Sequence, residues 1–328
     1  MSDMPLFLSC TDLHFTSKTP ACRQEYQFQN AQILKLVHLL QEARTTKFQM
    51  ILCAGDFFDS ATRNITYDLL ETIISCFRQY KDVMFLCVAG NHDMRFRQQT
   101  LDNTPLRLLS SALPNFKIVS GMERFDFAED TVFLYASPWD VPLEQIVRNF
   151  GAPDTFRAED GKQGWYIGLT HRTIFECAVA PWADGFGLVA SDFIRDCNGR
   201  SKLRFDYIIT GDNHECFMDE VQDTVLINSG PMLRTSIDKM DYKPRYASVY
   251  DTRVRLNFFP IVTDDDAFNM NYVNQQKEIK EATTIDFDKL ISEVDSAFAL
   301  SNDFPTALRY VVKKKHPELL RKLEKILE

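Results

Sequence analysis

Val83-Met84-Phe85-Leu86-Cys87-Val88-Ala89 runs without a break into Gly90-Asn91-His92-Asp93. The apolar run has the length and composition of a strand, and the Gly-Asn turn that ends it sets an amide, an imidazole and a carboxylate at the strand's carboxyl end. The same arrangement recurs along the chain. Leu6 to Cys10 leads into Asp12-Leu13-His14, and Met50 to Ala54 into Gly55-Asp56-Phe57-Phe58-Asp59. Trp165 to Leu169 leads into Thr170-His171, and Tyr207 to Thr210 into Gly211-Asp212-Asn213-His214. Four of the six histidines fall in these short segments, so the set, rather than any one member, decides how the chain is read.

Between the first strands lie helical stretches. Glu25 to Ala43 places Ile33, Leu36, Val37 and Leu40 on one face, and Tyr67 to Phe77 is again helical. This strand–motif–helix rhythm predicts an α/β sheet with its chemistry at the strand carboxyl ends. After Asn115 the pattern changes to strands and turns. Phe125 to Phe127 and Thr131 to Ala136 predict a hairpin around Glu129-Asp130. Thr224 to Ile227, Tyr246 to Tyr250 and Val254 to Phe259 complete a second strand set. Two sheets packed face to face with helices outside is the expected architecture for residues 1–262. The polar stretch 263–284, with Asp264-Asp265-Asp266 and Gln275-Gln276-Lys277, predicts a linker or the remnant of a cap. Residues 285–328 predict helices: Asp286 to Leu300, Thr306 to Lys315 behind Pro305, and Glu318 to Glu328 behind Pro317.

The 328 residues suffice for one large domain or two smaller ones, and a 45% hydrophobic fraction with 26 Phe supports a sizeable core. The net charge of -9 argues against coating nucleic acid by bulk attraction. It permits a nucleic-acid enzyme whose carboxylates are neutralised by bound cations. Met1-Ser2-Asp3-Met4-Pro5 has neither the basic start nor the apolar core of a signal peptide. No apolar run approaches the roughly 20 residues of a membrane span. The expected location is the cytoplasm, at the nucleoid in a bacterium or the nucleus in a eukaryote, with no membrane partner. The eight cysteines form no C-x-x-C pair, and Cys10, Cys53 and Cys87 sit inside strand-like runs, which points to reduced thiols.

In extended backbone Asp12 and His14 project to the same side and offer a carboxylate oxygen and an imidazole nitrogen to one ion. Asp56, in a Gly-Asp turn, is placed to bridge two ions, and Asn91 offers a neutral carbonyl oxygen to the second. His171, Asp212 and His214 would close the sites from the later sheet. A mixture of carboxylate, amide oxygen and imidazole suits Mn²⁺, Fe²⁺ or Zn²⁺ and lacks the thiolates of a structural zinc site. Two ions about 3.5–4 Å apart clamp the oxygens of an in-line phosphoryl displacement. His92, next to the ligand Asn91 and pointing elsewhere, is the expected acid for the leaving oxygen, with Asp93 expected to orient it. Asp59 is read chiefly as a hydrogen-bonding residue of its turn. His38 and His316 lie outside the motifs and read as structural or exposed. Arg63, Arg95 and Arg97 are placed either to contact phosphates or to remain solvated, and Lys313-Lys314-Lys315 reads as a solvated helix end.

In this order, from Asp12 to His214, the motifs resemble those of the calcineurin-like metallophosphoesterases over about two-thirds of the chain. Within that superfamily they resemble the DNA-repair nuclease subunit SbcD and its eukaryotic meiotic-recombination-eleven relatives. Asn228-Ser229-Gly230-Pro231, followed by Leu233-Arg234-Thr235-Ser236, is similar to the segment after that family's last histidine motif. The resemblance implies a four-layer α/β/β/α sandwich with a small C-terminal helical extension. It also implies a nuclease of DNA repair or recombination using two divalent ions, usually Mn²⁺, with Mg²⁺, Fe²⁺ or Zn²⁺ as other candidates. An SbcC-like ATPase would dock through the C-terminal helices. Carried over, Asp12, His14, Asp56 and His214 hold the first ion, Asp56, Asn91 and His171 the second, and His92 is the acid. One position departs: where the family usually has Gly-His-x-His, Asp212 takes the place of a histidine that ligates the second metal. Two other functions compete. One is a phosphatase or small-nucleotide phosphodiesterase, although Gly55 to Ser60 lacks the Asp-Arg-Gly continuation of protein serine/threonine phosphatases. The other is a weakly catalytic DNA-binding or scaffold subunit. Pairing of two chains as a homodimer is left open.

Overall fold

The computed structural model describes residues 3–95, 100–151, 162–198, 205–221, 224–260 and 268–283, together with 153, 156, 158, 308 and 311–313. The first half alternates β1 (Pro5–Cys10), α1 (Glu25–Thr46), β2 (Met50–Cys53), α2 (Tyr67–Gln79), β3 (Met84–Cys87), α3 (Pro105–Ala112) and β4 (Phe116–Ile118). The chain continues through β5 (Gly121–Asp126), β6 (Asp130–Ser137), α4 (Leu143–Phe150), β7 (Gln163–Thr170), β8 (Ile174–Phe175), β9 (Leu188–Val189) and α5 (Ala190–Asn198). It then forms β10 (Tyr207–Ile209), β11 (Phe217–Val221), β12 (Thr224–Asn228), β13 (Arg245–Tyr250) and β14 (Val254–Phe258).

Two six-stranded sheets result, in the orders β14-β13-β1-β2-β3-β4 and β11-β12-β10-β7-β6-β5. β1 to β4 pair in parallel, as do β6, β7, β10 and β12, while β13, β14, β5 and β11 add antiparallel strands at the margins. Side chains alternate between faces along each strand. In β2, Met50 and Leu52 face the second sheet, where they join Leu86, Val88, Leu134, Ile167, Leu169 and Ile227. Ile51 and Cys53 point the other way, into a core shared with Leu36, Leu40, Ile73, Phe77 and Leu109 of the helices. Beyond the second sheet, Phe133, Tyr135 and Ile208 pack on Ile146 and Val147 of α4 and Phe193 of α5. Strands with an apolar neighbour on both faces read as continuous hydrophobic runs, which is why the motif-bearing ones were visible. The layers are α/β/β/α.

The hairpin expected around Glu129-Asp130 is the antiparallel pair β5–β6. Three short helices, α3 to α5, fall where the sequence pattern gave no helix; at eight or nine residues each they show too few turns for periodicity to register. The polar stretch read as a linker is helical over α6 (Met270–Thr283). It contains no Gly or Pro and is rich in Gln, Lys and Glu, which are good helix formers however hydrophilic they are. The chain divides into two compact units, Met1–Asn269 and Met270–Glu328. Of the expected C-terminal helices, Leu308 and residues 311–313 are helical; those at 286–300 and 318–328 lie outside the described residues. No helix among the described residues is long and apolar enough to cross a membrane.

The two phenylalanines inside Gly55-Asp56-Phe57-Phe58-Asp59 anchor that motif in the outer core. Phe57 is fully buried, with ring centroids 5.2 Å from Phe116, 5.8 Å from Phe85 and 5.0 Å from Phe15. Phe57→Ala therefore removes the anchor next to Asp56 and leaves a cavity. The expected loss is about 3–5 kcal/mol in chemical denaturation, with a smaller loss for Phe57→Leu.

Candidate metal centre

All five motifs emerge on the same edge of the sandwich. Asp12 follows β1, Asp56 follows β2 and Asn91 follows β3, three adjacent parallel strands registered at Cys10, Cys53 and Cys87. His171 follows β7, and Asp212 and His214 follow β10, its parallel neighbour in the facing sheet. The first two loops are laced together by backbone bonds: Asp12 N–H donates to Gly55 O at 3.1 Å and His14 N–H to Asp56 O at 2.9 Å. Across the sheets, Asp212 N–H donates to both Asp12 carboxylate oxygens at 3.2 Å.

Asp12, Asp56 and His171 are at most 1% exposed, and His14 is 5% exposed. The Asp56 carboxylate sits between the two halves: its Oδ2 is 3.8 Å from His14 Nε2 and 3.4 Å from His171 Nε2. His214 Nε2 stands 3.0 Å from His14 Nε2 and 3.8 Å from Asp12 Oδ1. On the other side, His171 Nε2 lies 3.2 Å from Asn91 Oδ1 and 3.6 Å from Asp212 Oδ1. Ligand atoms of Asp12, His14 and His214 form one compact cluster, and those of Asp12, Asp56 and His171 another, each within 4.8 Å. A third such group joins Asp59 to His14 and His92, which places Asp59 nearer the centre than its reading as a turn residue suggested.

The donor set fits divalent cations. His171 Nδ1 donates to Ala54 O at 2.5 Å, so Nε2 is the ring nitrogen that faces the centre. Burial would lower this imidazole's pKa, but the Asp56 carboxylate reverses that and holds it well above its ordinary value until a cation takes the proton's place. The inward-turned Asn91 amide oxygen meets Asp56 Oδ1 and Oδ2 at 3.2 and 3.1 Å, acceptor against acceptor. An N–H donor satisfies that spot when no ion is bound, and a carbonyl oxygen satisfies it as a ligand. Two imidazole nitrogens at 3.0 Å pose the same requirement at His14 and His214. His14 Nδ1 is buried with no partner among the described residues.

Burial pushes the Asp12 carboxyl up to about 6, against the pull of His214 and His171. Burial likewise lowers His14 to about 3, keeping its ring neutral and its lone pair available. At Asp56 burial acts upward, but the imidazoles, His171 first, reverse it and hold the carboxylate well below its ordinary range. Desolvation would lower His92; the Asp56 charge and the Asp59 carbonyl outweigh it, and the net shift is upward.

Asp93 does not touch the His92 ring in the way expected of an orienting partner. Its buried carboxylate accepts from the backbone N–H groups of Phe57, Phe58 and Gly90 at 2.9–3.2 Å, tying the second and third motifs to each other. His92 is oriented instead by Nδ1–H donating to Asp59 O at 2.6 Å, while its backbone N–H donates to Asp56 Oδ1 at 2.9 Å. Asp212 reaches the second cluster, its other carboxylate oxygen accepting from Thr173 Oγ1. Thr173, Thr11 (which donates to Asp12 Oδ2 at 3.0 Å) and Asn213 support the ligands and were not anticipated. Single hydroxyls and amides next to a motif carry no pattern of their own. Asn228-Ser229-Gly230-Pro231 buttresses the same loops: Asn228 Nδ2 donates to Asn213 Oδ1 at 2.7 Å and Thr11 bridges to Pro231. His38 pairs with the Tyr246 hydroxyl at 3.2 Å, away from the centre. Arg63 and Arg95 line a cavity beside it, and Arg97 lies outside the described residues.

The sequence matches the model of the calcineurin-like phosphoesterase family over residues 5–216. The chain belongs to the calcineurin-like phosphoesterase family, metal-dependent hydrolases of phosphate esters. No curated protein matches it. Among solved structures it is similar to a Staphylococcus aureus protein assigned as a 5'-nucleotidase, with 15% identity and a TM-score of 0.48 over 84% of this chain and 58% of that one. It is also similar to the sulfate thiohydrolase SoxB of Thermus thermophilus, with 10% identity and a TM-score of 0.45 over 84% and 60% of the two chains. An archaeal phosphodiesterase aligns with 10% identity and a TM-score of 0.38 over 77% of this chain and 99% of that one. The chain thus spans less than two-thirds of the first two structures.

Glycine at 90 is required by close approach. A Cβ there would fall 2.7 Å from Asp56 Cγ and nearer still to the backbone nitrogen. Gly90→Ala is expected to displace Asp56 and weaken divalent-metal binding by roughly 10–100-fold, the range for losing a ligand's support. Calorimetric titration checks the affinity, and circular dichroism checks that the fold persists.

Proposed function

We propose that this phosphoesterase is a two-metal DNA nuclease of the SbcD type, acting in DNA repair or recombination. The observation that carries the two-metal part is the convergence of Asp12, His14, Asp56, Asn91, His171, Asp212 and His214 from two sheets, with Asp56 between the halves. Support for DNA as substrate comes from the motif resemblance and from the missing Asp-Arg-Gly after Asp56.

Asp12, His14, Asp56 and His214 would hold the first ion, and Asp56, Asn91, His171 and Asp212 the second. Bound there, the ions supply Lewis-acid activation of water and of the phosphoryl oxygens. The chain's own part is positioning and proton transfer. Hydrogen bonding of Nδ1 to Asp59 O fixes the His92 ring and makes Nε2 the site of its mobile proton. His92 lines the cavity next to Asn91, so a leaving oxygen entering that cavity receives this proton. Asp93 acts through the backbone, fixing the loops that carry Asp56 and His92. The remaining elements of the proposal are an SbcC-like ATPase docked on the C-terminal segment 285–328, Mn²⁺ as the working ion, and a cytoplasmic or nuclear site of action. Apolar positions in its sequence such as Leu319 and Leu323 support docking of that segment.

Manganese is expected to support cleavage of single- and double-stranded DNA, and a chelator to abolish it. His92→Ala should lower kcat by roughly 10²–10⁴-fold, the usual worth of a general acid, while metal analysis still finds two ions per chain. Hydrolysis of nitrophenyl phosphate or cyclic nucleotides with none of DNA would instead establish a small-ester phosphoesterase. Absence of bound metal would establish a scaffold.

A further inference from the structure

Beside the metal ligands lies an open cavity of about 790 Å³, bordered by Asn91, His92, Met94, Trp139 and Arg63. That is in the range of sites for whole organic ligands and exceeds what two ions and one phosphate occupy. Trp139 is half-buried in its wall, yet its indole has no ring partner and no hydrogen bond at Nε1 among the described residues. Indoles in folded proteins normally stack or donate when they are not facing solvent or a ligand. The position of this one is fixed: Trp139 N–H donates to Ala89 O at 2.9 Å, one residue before Gly90-Asn91. The ring and the metal ligand Asn91 are therefore held by the same backbone junction between the two sheets. On the rim, the exposed Arg63 guanidinium and the Ser60 and Thr62 hydroxyls offer donors for phosphate oxygens.

We propose that this cavity binds the nucleobase flanking the scissile phosphate on its leaving-group side, stacked on Trp139, with Arg63 holding the adjoining phosphate. The proposal rests on the phosphodiesterase reading above and adds its substrate class: a polynucleotide strand presented single, with one base turned into the cavity. Because every base has a π-face, such a site selects nucleotides over simple esters without selecting sequence.

The test uses the full chain with manganese and two substrates of equal length, single-stranded oligothymidylate and its abasic counterpart. Trp139→Ala is expected to lower kcat/KM on oligothymidylate by about 10-fold, within the range for losing one stacked base, and to leave the abasic strand unaffected. Trp139→Leu, which keeps apolar bulk and loses the ring face, should do the same. An equal loss on both strands in the leucine variant, or no loss on either, overturns the base pocket. Wild-type protein that cleaves neither strand overturns the nuclease reading itself, so the two failures are distinct.

Discussion

A crowd of acceptor atoms in a nearly dry space is the constraint around which this molecule is built. Asn91 Oδ1, both Asp56 carboxylate oxygens and His171 Nε2 lie within 3.4 Å of one or more of the others. Carboxylates buried without compensation cost several kcal/mol each, and Asp12 and Asp56 are both buried here. Donors from the chain, the His92 and Asp212 backbone N–H groups and the Thr11 hydroxyl among them, offset part of that cost, and positive charge brought in as protons or metal ions offsets more. Metal binding is therefore coupled to the shape of five loops at once, and those loops hold their shape because the sheets beneath them do.

The backbone shows what holding them requires. Asp12, His14, Asp56, Asp212 and His214 all have positive φ, between 47° and 77°. Side-chain-bearing residues adopt that region rarely, at a cost of order 1–3 kcal/mol each, and Asp, Asn and His tolerate it better than most. The reason for the contortion is geometric. A strand directs successive side chains to opposite faces, whereas ligands from adjacent strands must all turn inward over the strand ends. Left-handed residues make that turn within one or two positions. Three buried cores keep the strands in register, Asp93 ties the second motif's turn to the third, and Asn213 ties the last motif to Asn228 at the end of β12.

The strands that carry ligands were legible because burial on both faces writes itself as an unbroken apolar run, and because a polar motif marks where each run stops. Met50 to Ala54 and Val83 to Ala89 show both signals. Amphipathic spacing revealed α1, where Leu36 and Leu40 are buried as read. Elements without either signal were hidden. Helix α4 spans eight residues, and α6 is polar enough to pass for a linker. Within the site, a ligand could be named from its motif, but its neighbour's contacts could not. Asp93 was read as a partner of His92 because it lies next to it in sequence; in the fold its carboxylate points back at the Phe57 and Phe58 amides. His92 is served instead by a main-chain carbonyl, and backbone groups leave no trace in the residue alphabet.

Asp212 shows how one substitution redistributes charge in such a centre. Its backbone N–H is committed to Asp12, one carboxylate oxygen to Thr173, and the other faces His171 at 3.6 Å. A carboxylate in a slot that the related motif gives to histidine raises the carboxylates around the proposed ions to three: Asp12, Asp56 and Asp212. Two divalent ions then carry a net charge of one rather than two toward the substrate. In the proposed two-ion centre the third carboxylate would add a hard oxygen donor, which suits Mn²⁺ or Mg²⁺ better than Zn²⁺. In that proposed centre the attraction left over for a phosphate would be weaker, so binding energy would have to come from parts of the substrate other than the reacting group. In this fold the surface able to supply it adjoins the ligands on the Asn91 side, where Trp139 and Arg63 border the open cavity.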